Sequence, residues 1–288
     1  MSEYEVYSYE AFRRRIREEL RVVPECGIEM LDREKVKQCL DAAKENREKL
    51  KKLPDDQIME LLGITAKGVP TVAGVLAFAI YPQAWFPQRC ITAISLPGAD
   101  MGETDSDGAR FIDNKRITGT ISDMLDEAVD FVRKNMRIKT IVDGSGKRSD
   151  KSEYPIVAVR EAVLNALIHR DYSMLTENTP ITIEMYRDRM EVVSKGGLYG
   201  GGSVELLGRG RPETRNSALI NILELLEVTE NRYLGIPTMQ REMEEADLPD
   251  PKFEIRRGEF RVTFKNGSVP DGDDIDKSDI FSAVEKQI

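Results

Sequence analysis

The stretch of residues 153–173, EYPIVAVREAVLNALIHRDYS, constrains the fold of this chain more than any other. Pro155 suits the first position of a helix, where its missing N–H would have no intrahelical partner anyway. At about 100° of turn per residue, the apolar side chains of 156–168 cover a broad arc. Those side chains are Ile156, Val159, Val163, Leu164, Ala166, Leu167 and Ile168. The pattern predicts a helix that is mostly buried.

The remaining narrow face of this helix carries polar groups. Glu161, Asn165 and His169 follow one another at i, i+4 and i+8, and only Ala158 and Ala162 share their face. Because the rest of the helix is apolar, a carboxylate, an amide and an imidazole are expected to face an interior or a cleft. The small alanines leave room beside them for a ligand.

Two interpretations of this face stay open at this point. In the first, Glu161 and Asn165 are satisfied internally, and His169, the only histidine of the chain, is a cation at the helix C-terminus. In the second, the face is catalytic. A carboxylate can polarise water, an amide oxygen can ligate a hard metal ion, and an imidazole can contact phosphate.

The run YP…REAVLNALIHRDYS resembles the signature of the RecG-related family, often described as ATP-dependent DNA helicase-related proteins or transcriptional regulators. The C-terminal part of that family is similar to the GHKL (Bergerat-fold) ATPases. The resemblance extends more loosely from about residue 53 to residue 264. It implies an α+β fold, a Bergerat-like α/β sandwich with helices on a mixed, largely antiparallel sheet. An α/β connector subdomain and N-terminal helices would precede the sandwich.

The resemblance also implies roles for the polar face. Glu161 would be the water-activating base, and Asn165 would be the magnesium ligand. His169 and Arg170 would contact phosphates. The implied cofactors are ATP and Mg²⁺.

A glycine-rich segment after the predicted hairpin has two interpretations. It contains Gly196 and Gly197, which the resemblance places in the first glycine box of the ATPase group, lining the nucleotide. The box normally begins with an Asp that reads the adenine amino group, and here Ser194 or Lys195 stands in its place. A ligand-binding loop and a plain turn are both compatible with this pattern.

Two further positions resemble family motifs. Arg215, in the run LLGRGRPETRN, matches an Arg-Asn motif, and Gly235 matches the second glycine box, although Tyr233 replaces the first glycine of that box. Arginine suits bidentate phosphate contact, and simple surface solvation is the alternative. The arginines that could neutralise charge on a lid are Arg209, Arg211 and Arg215.

Segments between these motifs have their own signals, and four units are predicted. They are N-terminal connector helices (1–54), an α/β middle subdomain (55–150), the ATPase-like domain (151–265) and an acidic tail (266–288). Within them we expect helices at 32–53, 55–62, 121–136, 218–227 and 233–246, strands at 90–96, 108–117 and 138–142, and hairpins at 180–194 and 253–264. The segment 72–80 is buried and fits either helix or strand. Family members commonly carry an AlbA-like (Schlafen-type) domain upstream; because its usual glycine-rich segment is not found, this sequence is expected to begin in the connector that follows that domain.

The bulk composition excludes several classes of protein. The net charge of −9 disfavours general binding of nucleic-acid backbone, so DNA contact is expected only through a missing or separate domain. An apolar run long enough to cross a membrane is absent. Three widely spaced cysteines indicate a reducing cytoplasm without a disulfide framework. We also expect a homo-oligomer.

The segment 143–148, DGSGKR, is not a P-loop. The pattern requires glycine at position 141, where Ile141 stands, and Ser or Thr at position 148, where Arg148 stands. A helicase motor is therefore not expected. The sequence favours a nucleotide-binding module of a RecG-related transcriptional regulator, with weak Mg²⁺-dependent ATPase activity at most. The alternative is a degenerate ATPase-like fold that serves as the dimerisation or ligand-sensing half of a DNA-binding regulator.

Overall fold

The computed structural model describes residues 3–142, 148–201, 203–208, 213–229 and 234–267. Its helices are α1 (Glu3–Arg13), α2 (Arg33–Asn46), α3 (Asp55–Leu62), α4 (Val72–Phe78), α5 (Ile121–Asn135), α6 (Ile156–His169), α7 (Ser217–Leu225) and α8 (Gly235–Glu245). Its strands are β1 (Thr65–Ala66), β2 (Val69–Pro70), β3 (Ile91–Ser95), β4 (Asp113–Ile117), β5 (Ile138–Val142), β6 (Arg148–Ser152), β7 (Ile181–Met185), β8 (Arg189–Lys195), β9 (Lys252–Arg256) and β10 (Glu259–Lys265).

Six strands form the main sheet in the order β4-β3-β7-β8-β10-β9. The β3–β7 pair is parallel, and every other neighbouring pair in this sheet is antiparallel. This arrangement confirms the predicted α+β class with a mixed, largely antiparallel sheet. The sheet joins β3 and β4 to strands that follow residue 150. The boundary predicted between residues 150 and 151 therefore divides strands that belong to one sheet.

One face of the sheet is apolar and packs against helices. Burial alternates along β3 and β7, with Ile91, Ala93, Ile181 and Ile183 all buried. Alternation of this kind is what a strand with one covered face requires. These side chains belong to one core cluster with the apolar sides of α5 and α6. The core therefore lies between the sheet and these helices, and it fixes α6 by its apolar arc.

Local signals set several boundaries as predicted. The Asp32 carboxylate caps α2 by accepting hydrogen bonds from the backbone N–H groups of Glu34 and Lys35. Gly63 ends α3 with a φ of 76°, a left-handed conformation that favours glycine. The expected helices at 55–62 and 121–136 and both hairpins are present, and the ambiguous segment 72–80 is helical.

Other boundaries differ from the sequence prediction. The helix predicted to reach residue 53 ends at Asn46, where Arg47 is extended and a 3₁₀ turn, Glu48–Lys52, follows. Ser217, the residue directly before the predicted helix 218–227, is the first helical residue of α7, and Asn216 occupies the cap position. The side chain of Asn216 does not cap α7 because its amide is used elsewhere, as described below.

Several predictions fall outside the described residues: the loop at 143–147, the residues Arg209, Arg211 and Tyr233, and most of the acidic tail. Within the described part of the chain, no helix has the length and apolar character needed to cross a membrane.

Candidate functional site

The polar face of α6 lies where the sequence predicts it. Ala158 and Ala162 are buried, whereas Glu161, Asn165 and His169 are partly buried. The polar side chains of this mostly buried helix therefore lie at the edge of the core, where they are partly accessible to solvent. Helix α8 packs alongside α6 and brings a second element to this face.

Gly235, the first residue of α8, lies directly against the polar face. A Cβ atom at Gly235 would stand 2.7 Å from Nδ2 of Asn165 and 3.0 Å from Oε2 of Glu161. A larger residue at this position would require the side chains of Asn165 and Glu161 to shift, so glycine allows the close approach. The structure thus brings together three of the predicted site residues, which are far apart in the sequence.

The N-terminus of α8 is suited to an anion. Leu234 at the cap position makes no side-chain capping bond, and Pro237 supplies no N–H. The amides of Gly235 and Ile236 remain in the first turn, where backbone N–H groups have no intrahelical acceptor. The helix dipole adds partial positive charge at this end. Together these features favour a negatively charged group beside Asn165.

The side chain of Asn165 fits a ligand. Its Nδ2 atom is buried and has no hydrogen-bond partner among the described residues. A buried unpaired amide group costs roughly 1–3 kcal/mol, so it calls for an explanation. No group of three or more His, Cys, Asp or Glu side chains in the described ranges could hold a metal ion by itself. A magnesium ion here would therefore use the Asn165 amide oxygen together with oxygens from outside the chain.

His169 is neutral at physiological pH. Burial lowers its pKa to about 4, and the positive charge of Arg215 contributes to the same shift. The low pKa disfavours a cation at the C-terminus of α6, which is the His169 part of the first sequence interpretation. A neutral imidazole next to a guanidinium can donate or accept a hydrogen bond without adding charge.

The shifted pKa of His169 makes a pH prediction. Between about pH 6.5 and 4 the unfolded chain binds a proton at His169 that the folded chain does not bind, so acidification favours unfolding. The contribution is up to about 3 kcal/mol, present above pH 6.5 and lost as the pH falls toward 4. Because the chain has one histidine, NMR titration of its imidazole protons reads the folded pKa directly. A midpoint near 6.5 in the folded protein would contradict this account.

A second cluster surrounds the glycine turn after β8. Arg215 and Asp171 form a buried ion pair, with 3.1 Å between Nη1 and Oδ2. The same carboxylate accepts hydrogen bonds from the Tyr4 hydroxyl at 2.9 Å and from the Ser173 backbone N–H at 2.8 Å. Burial is the main cause, and Asp171 a further one, of a raised pKa at Tyr4. The sequence analysis did not identify Asp171 or Tyr4 as part of this region, although Asp171 belongs to the HRDYS motif.

Gly196 and Gly197 lie at this ion pair. Gly196 has a φ of 116°, and a Cβ there would stand 2.9 Å from the backbone nitrogen of Asp171 and 3.0 Å from Nη1 of Arg215. Arg215 also donates to the carbonyl oxygen of Gly197 at 2.8 Å. Lys195, which with Ser194 is one of the two candidates for the position where the resemblance expects an Asp, pairs with Glu259 at 2.8 Å. The guanidinium of Arg215 is thus held by protein groups at the glycine turn.

Arg170 and Asn216 shape the chain after α6. Arg170 is 2 % exposed, and its Nη2 donates to the carbonyl oxygen of Thr176 at 3.1 Å and to that of Thr179. Its guanidinium is thus used to hold the loop that precedes β7. The Asn216 amide donates to the carbonyl oxygens of Ile168 and Arg170 at 2.9 and 2.7 Å, which closes the C-terminal end of α6.

Comparison with known proteins agrees with this fold. Residues 178–264 match the family model HATPase_c_4, described as "Putative ATP-dependent DNA helicase recG C-terminal". The matched segment contains Gly196, Gly197, Arg215 and Gly235 and begins after α6. Residues 178–264 thus carry the predicted RecG-related, ATPase-like domain.

The fold is similar to the crystal structure of the DIP2311 protein from Corynebacterium diphtheriae, with a TM-score of 0.61 and 21% sequence identity. The similarity covers 91% of this chain and 50% of that chain, so this chain spans about half the length of that protein. At this identity the likeness concerns the fold alone. A search of the curated proteins found no match.

Proposed function

We propose that a nucleotide, ATP together with Mg²⁺, binds where the polar face of α6 meets the N-terminus of α8, a place that we call the nucleotide cleft. The observation that carries the proposal is the contact at Gly235, where the N-terminus of α8 lies against the amide of Asn165 and the carboxylate of Glu161. Among the described residues, this helix end has no side-chain cap, and Nδ2 of Asn165 has no hydrogen-bond partner. Phosphate groups bind at helix N-termini because backbone N–H groups and the helix dipole both favour them. The ATPase-like family match over residues 178–264 supports the same class of ligand.

Each residue of the cleft has a role in this proposal. The amides of Gly235 and Ile236 would receive phosphate oxygens, and the Oδ1 atom of Asn165 would hold Mg²⁺. When bound, the ion neutralises charge on the phosphate oxygens. Glu161 would orient and polarise a water molecule, and neutral His169 would contact phosphate oxygens as a hydrogen-bond donor. Gly196 and Gly197 would line the nucleotide.

The alternative function keeps the fold without nucleotide. It proposes a dimerisation or ligand-sensing half of a DNA-binding regulator in the cytoplasm, with DNA bound through a separate domain. One observation favours it specifically. Asp171, a carboxylate beside the glycine turn, already pairs with Arg215 and Tyr4, and Lys195 pairs with Glu259. Among the described residues, the glycine turn therefore offers no free carboxylate that could recognise the adenine of a nucleotide.

Replacement of Asn165 by alanine tests the metal role. We expect Asn165→Ala to lose at least about tenfold in ATP affinity with Mg²⁺ present and little without it, because a metal ligand is removed. Calorimetric titration with and without Mg²⁺ gives both affinities. Val157→Ala, on the exposed side of α6 at 48 % exposure, is the control and should bind like the parent chain. Equal affinities of the parent chain with and without Mg²⁺ would exclude this role for Asn165.

Replacement of Glu161 by glutamine tests the catalytic role separately. If the parent chain hydrolyses ATP, we expect Glu161→Gln to lower turnover by about 10²-fold or more while nucleotide binding persists, because an amide cannot act as a base. Steady-state phosphate release measures turnover. Turnover that survives the substitution would show that Glu161 is not the base.

A further inference from the structure

Three arginine side chains lie near the loop that follows α6. Arg21 and Arg89 contact the carboxylate of Glu177, and Arg170 lies on the same Tyr172 ring as Arg89. We call Arg21, Arg89, Arg170 and Glu177 the arginine cluster. Arg89 and Arg170 are each 2 % exposed. Oε2 of Glu177 lies 3.5 Å from Nη2 of Arg89 and 3.5 Å from Nη2 of Arg21. The side chains of Arg21 and Glu177 are 33 % and 30 % exposed, so they form the outer side of the cluster.

Aromatic rings account for part of the burial of these cations. The Arg89 guanidinium carbon lies 3.8 Å from the centre of the Phe86 ring and 5.4 Å from that of Tyr172. The Arg170 guanidinium carbon lies 5.8 Å from the centre of the same Tyr172 ring. The faces of aromatic rings attract a cation through the ring quadrupole. They do not accept hydrogen bonds from the N–H groups, which lie in the plane of the guanidinium.

Several of those N–H groups are unpaired. Arg89 donates from Nη2 to the carbonyl oxygen of Tyr172 at 2.8 Å, but its Nε and Nη1 have no hydrogen-bond partner in the described ranges. The same holds for the Nε atoms of Arg170 and Arg21. A buried cation with unpaired donors is costly, since both its desolvation and its lost hydrogen bonds go uncompensated.

The neighbouring carboxylates do not balance this charge. Glu18 reaches only the outer arginine, with Oε2 at 3.7 Å from Nε of Arg21. Asp171 is engaged by Arg215, Tyr4 and Ser173. Burial lowers the pKa of Arg89 to about 10, and a group with that pKa stays protonated at neutral pH. Positive charge therefore remains in excess at the inner end of the cluster.

We propose that the arginine cluster is a binding site for a small oxyanion, a phosphate-type or carboxylate group, which the unpaired N–H groups of Arg89 and Arg170 recognise. Glu177 is the internal competitor of that anion, because it supplies the cluster's own negative charge from its outer side. Guanidinium groups suit this ligand, since they present several donors in a fixed plane. The site is separate from the proposed nucleotide cleft and does not depend on it.

If Glu177 competes with the anion, removal of its charge must strengthen anion binding. A purely structural role of Glu177 predicts no such increase. Calorimetric titration of the full chain with sodium phosphate, at ionic strength held constant with sodium chloride, should show saturable binding. We expect Glu177→Gln to bind phosphate about tenfold more tightly, because the competing carboxylate is gone, and Arg21→Gln to bind it several-fold more weakly. Asp130→Asn removes a carboxylate from an exposed ion pair with Arg133 and is the matched control, expected to leave binding unchanged.

Two comparisons locate the bound anion. Phosphate binding that Glu177→Gln strengthens and Arg21→Gln weakens lies at the arginine cluster, whereas binding that Asn165→Ala removes lies in the nucleotide cleft. A parallel titration with sodium acetate distinguishes a carboxylate ligand from a phosphate-type ligand. Whichever anion binds, its affinity must rise in Glu177→Gln and fall in Arg21→Gln. No saturable binding of either anion, or binding that Glu177→Gln and Arg21→Gln leave unchanged, would overturn the proposal. So would phosphate binding that only Asn165→Ala removes.

Discussion

Replacement of Arg215 by leucine is expected to destabilise the folded chain by about 3–5 kcal/mol, because it leaves a buried carboxylate without its cation. The side chains of Arg215 and Asp171 are 9 % and 6 % exposed, and 3.1 Å separates their charged atoms. The substitution also removes the hydrogen bond from Arg215 to Gly197, so the glycine turn loses a contact. Urea unfolding, followed by far-ultraviolet circular dichroism, measures the change.

A double variant separates the ion pair from the packing of Arg215. Asp171→Asn combined with Arg215→Leu should be less destabilised than the sum of the two single variants, because no unpaired charge remains. Arg133→Gln breaks the exposed pair with Asp130, whose side chains are 55 % and 71 % exposed, and should cost no more than about 0.5 kcal/mol. Equal effects of Arg215→Leu and Arg133→Gln would contradict the buried-pair account.

Replacement of Gly74 by alanine is expected to cost at least about 3 kcal/mol, although alanine favours helices. Gly74 lies in α4, where every residue is buried, and a Cβ there would stand 2.1 Å from the carbonyl oxygen of Ile64. The obstacle is backbone rather than a flexible side chain, so α4 or the backbone at Ile64, directly before β1, must move. The hydrogen bond from the Gly74 N–H to Thr71 Oγ1 would be strained by that movement. Thermal unfolding should show a midpoint lower by about 10 °C.

Gly102→Ala is the control for this effect. No atom lies within 4 Å of a Cβ built at Gly102, and its φ is not in the left-handed region. The control should change the free energy of unfolding by less than about 0.5 kcal/mol. A midpoint for Gly74→Ala that equals the control value would show that the contact between α4 and Ile64 is looser than described.

Local features of the fold were predictable from the sequence. The apolar arc of α6, the cap at Asp32, the turn at Gly63 and the hairpins of β7–β8 and β9–β10 are encoded by residues close together in the chain. The RecG-related resemblance is confirmed over residues 178–264. Periodicity also placed Glu161, Asn165 and His169 on one face.

Long-range features were not predictable in this way. Parallel pairing of β3 with β7 joins strands that are separated by β4, α5, the β5–β6 hairpin and α6, and no local pattern specifies such a partner. The packing of Gly235 on Asn165 and the pairing of Asp171 with Arg215 depend on the same tertiary arrangement. The low pKa of His169 follows from burial, which the sequence alone does not give.

The measurement that tests the central proposal most directly is calorimetric titration of the full chain with ATP and with a non-hydrolysable analogue, each with and without Mg²⁺. Saturable binding of both nucleotides that is tighter with Mg²⁺ is the predicted result, because Asn165 and the N-terminus of α8 would then hold the ion and the phosphates. Absence of binding at millimolar nucleotide would contradict the proposal. It would favour the alternative, in which the ATPase-like fold serves assembly or ligand sensing without nucleotide.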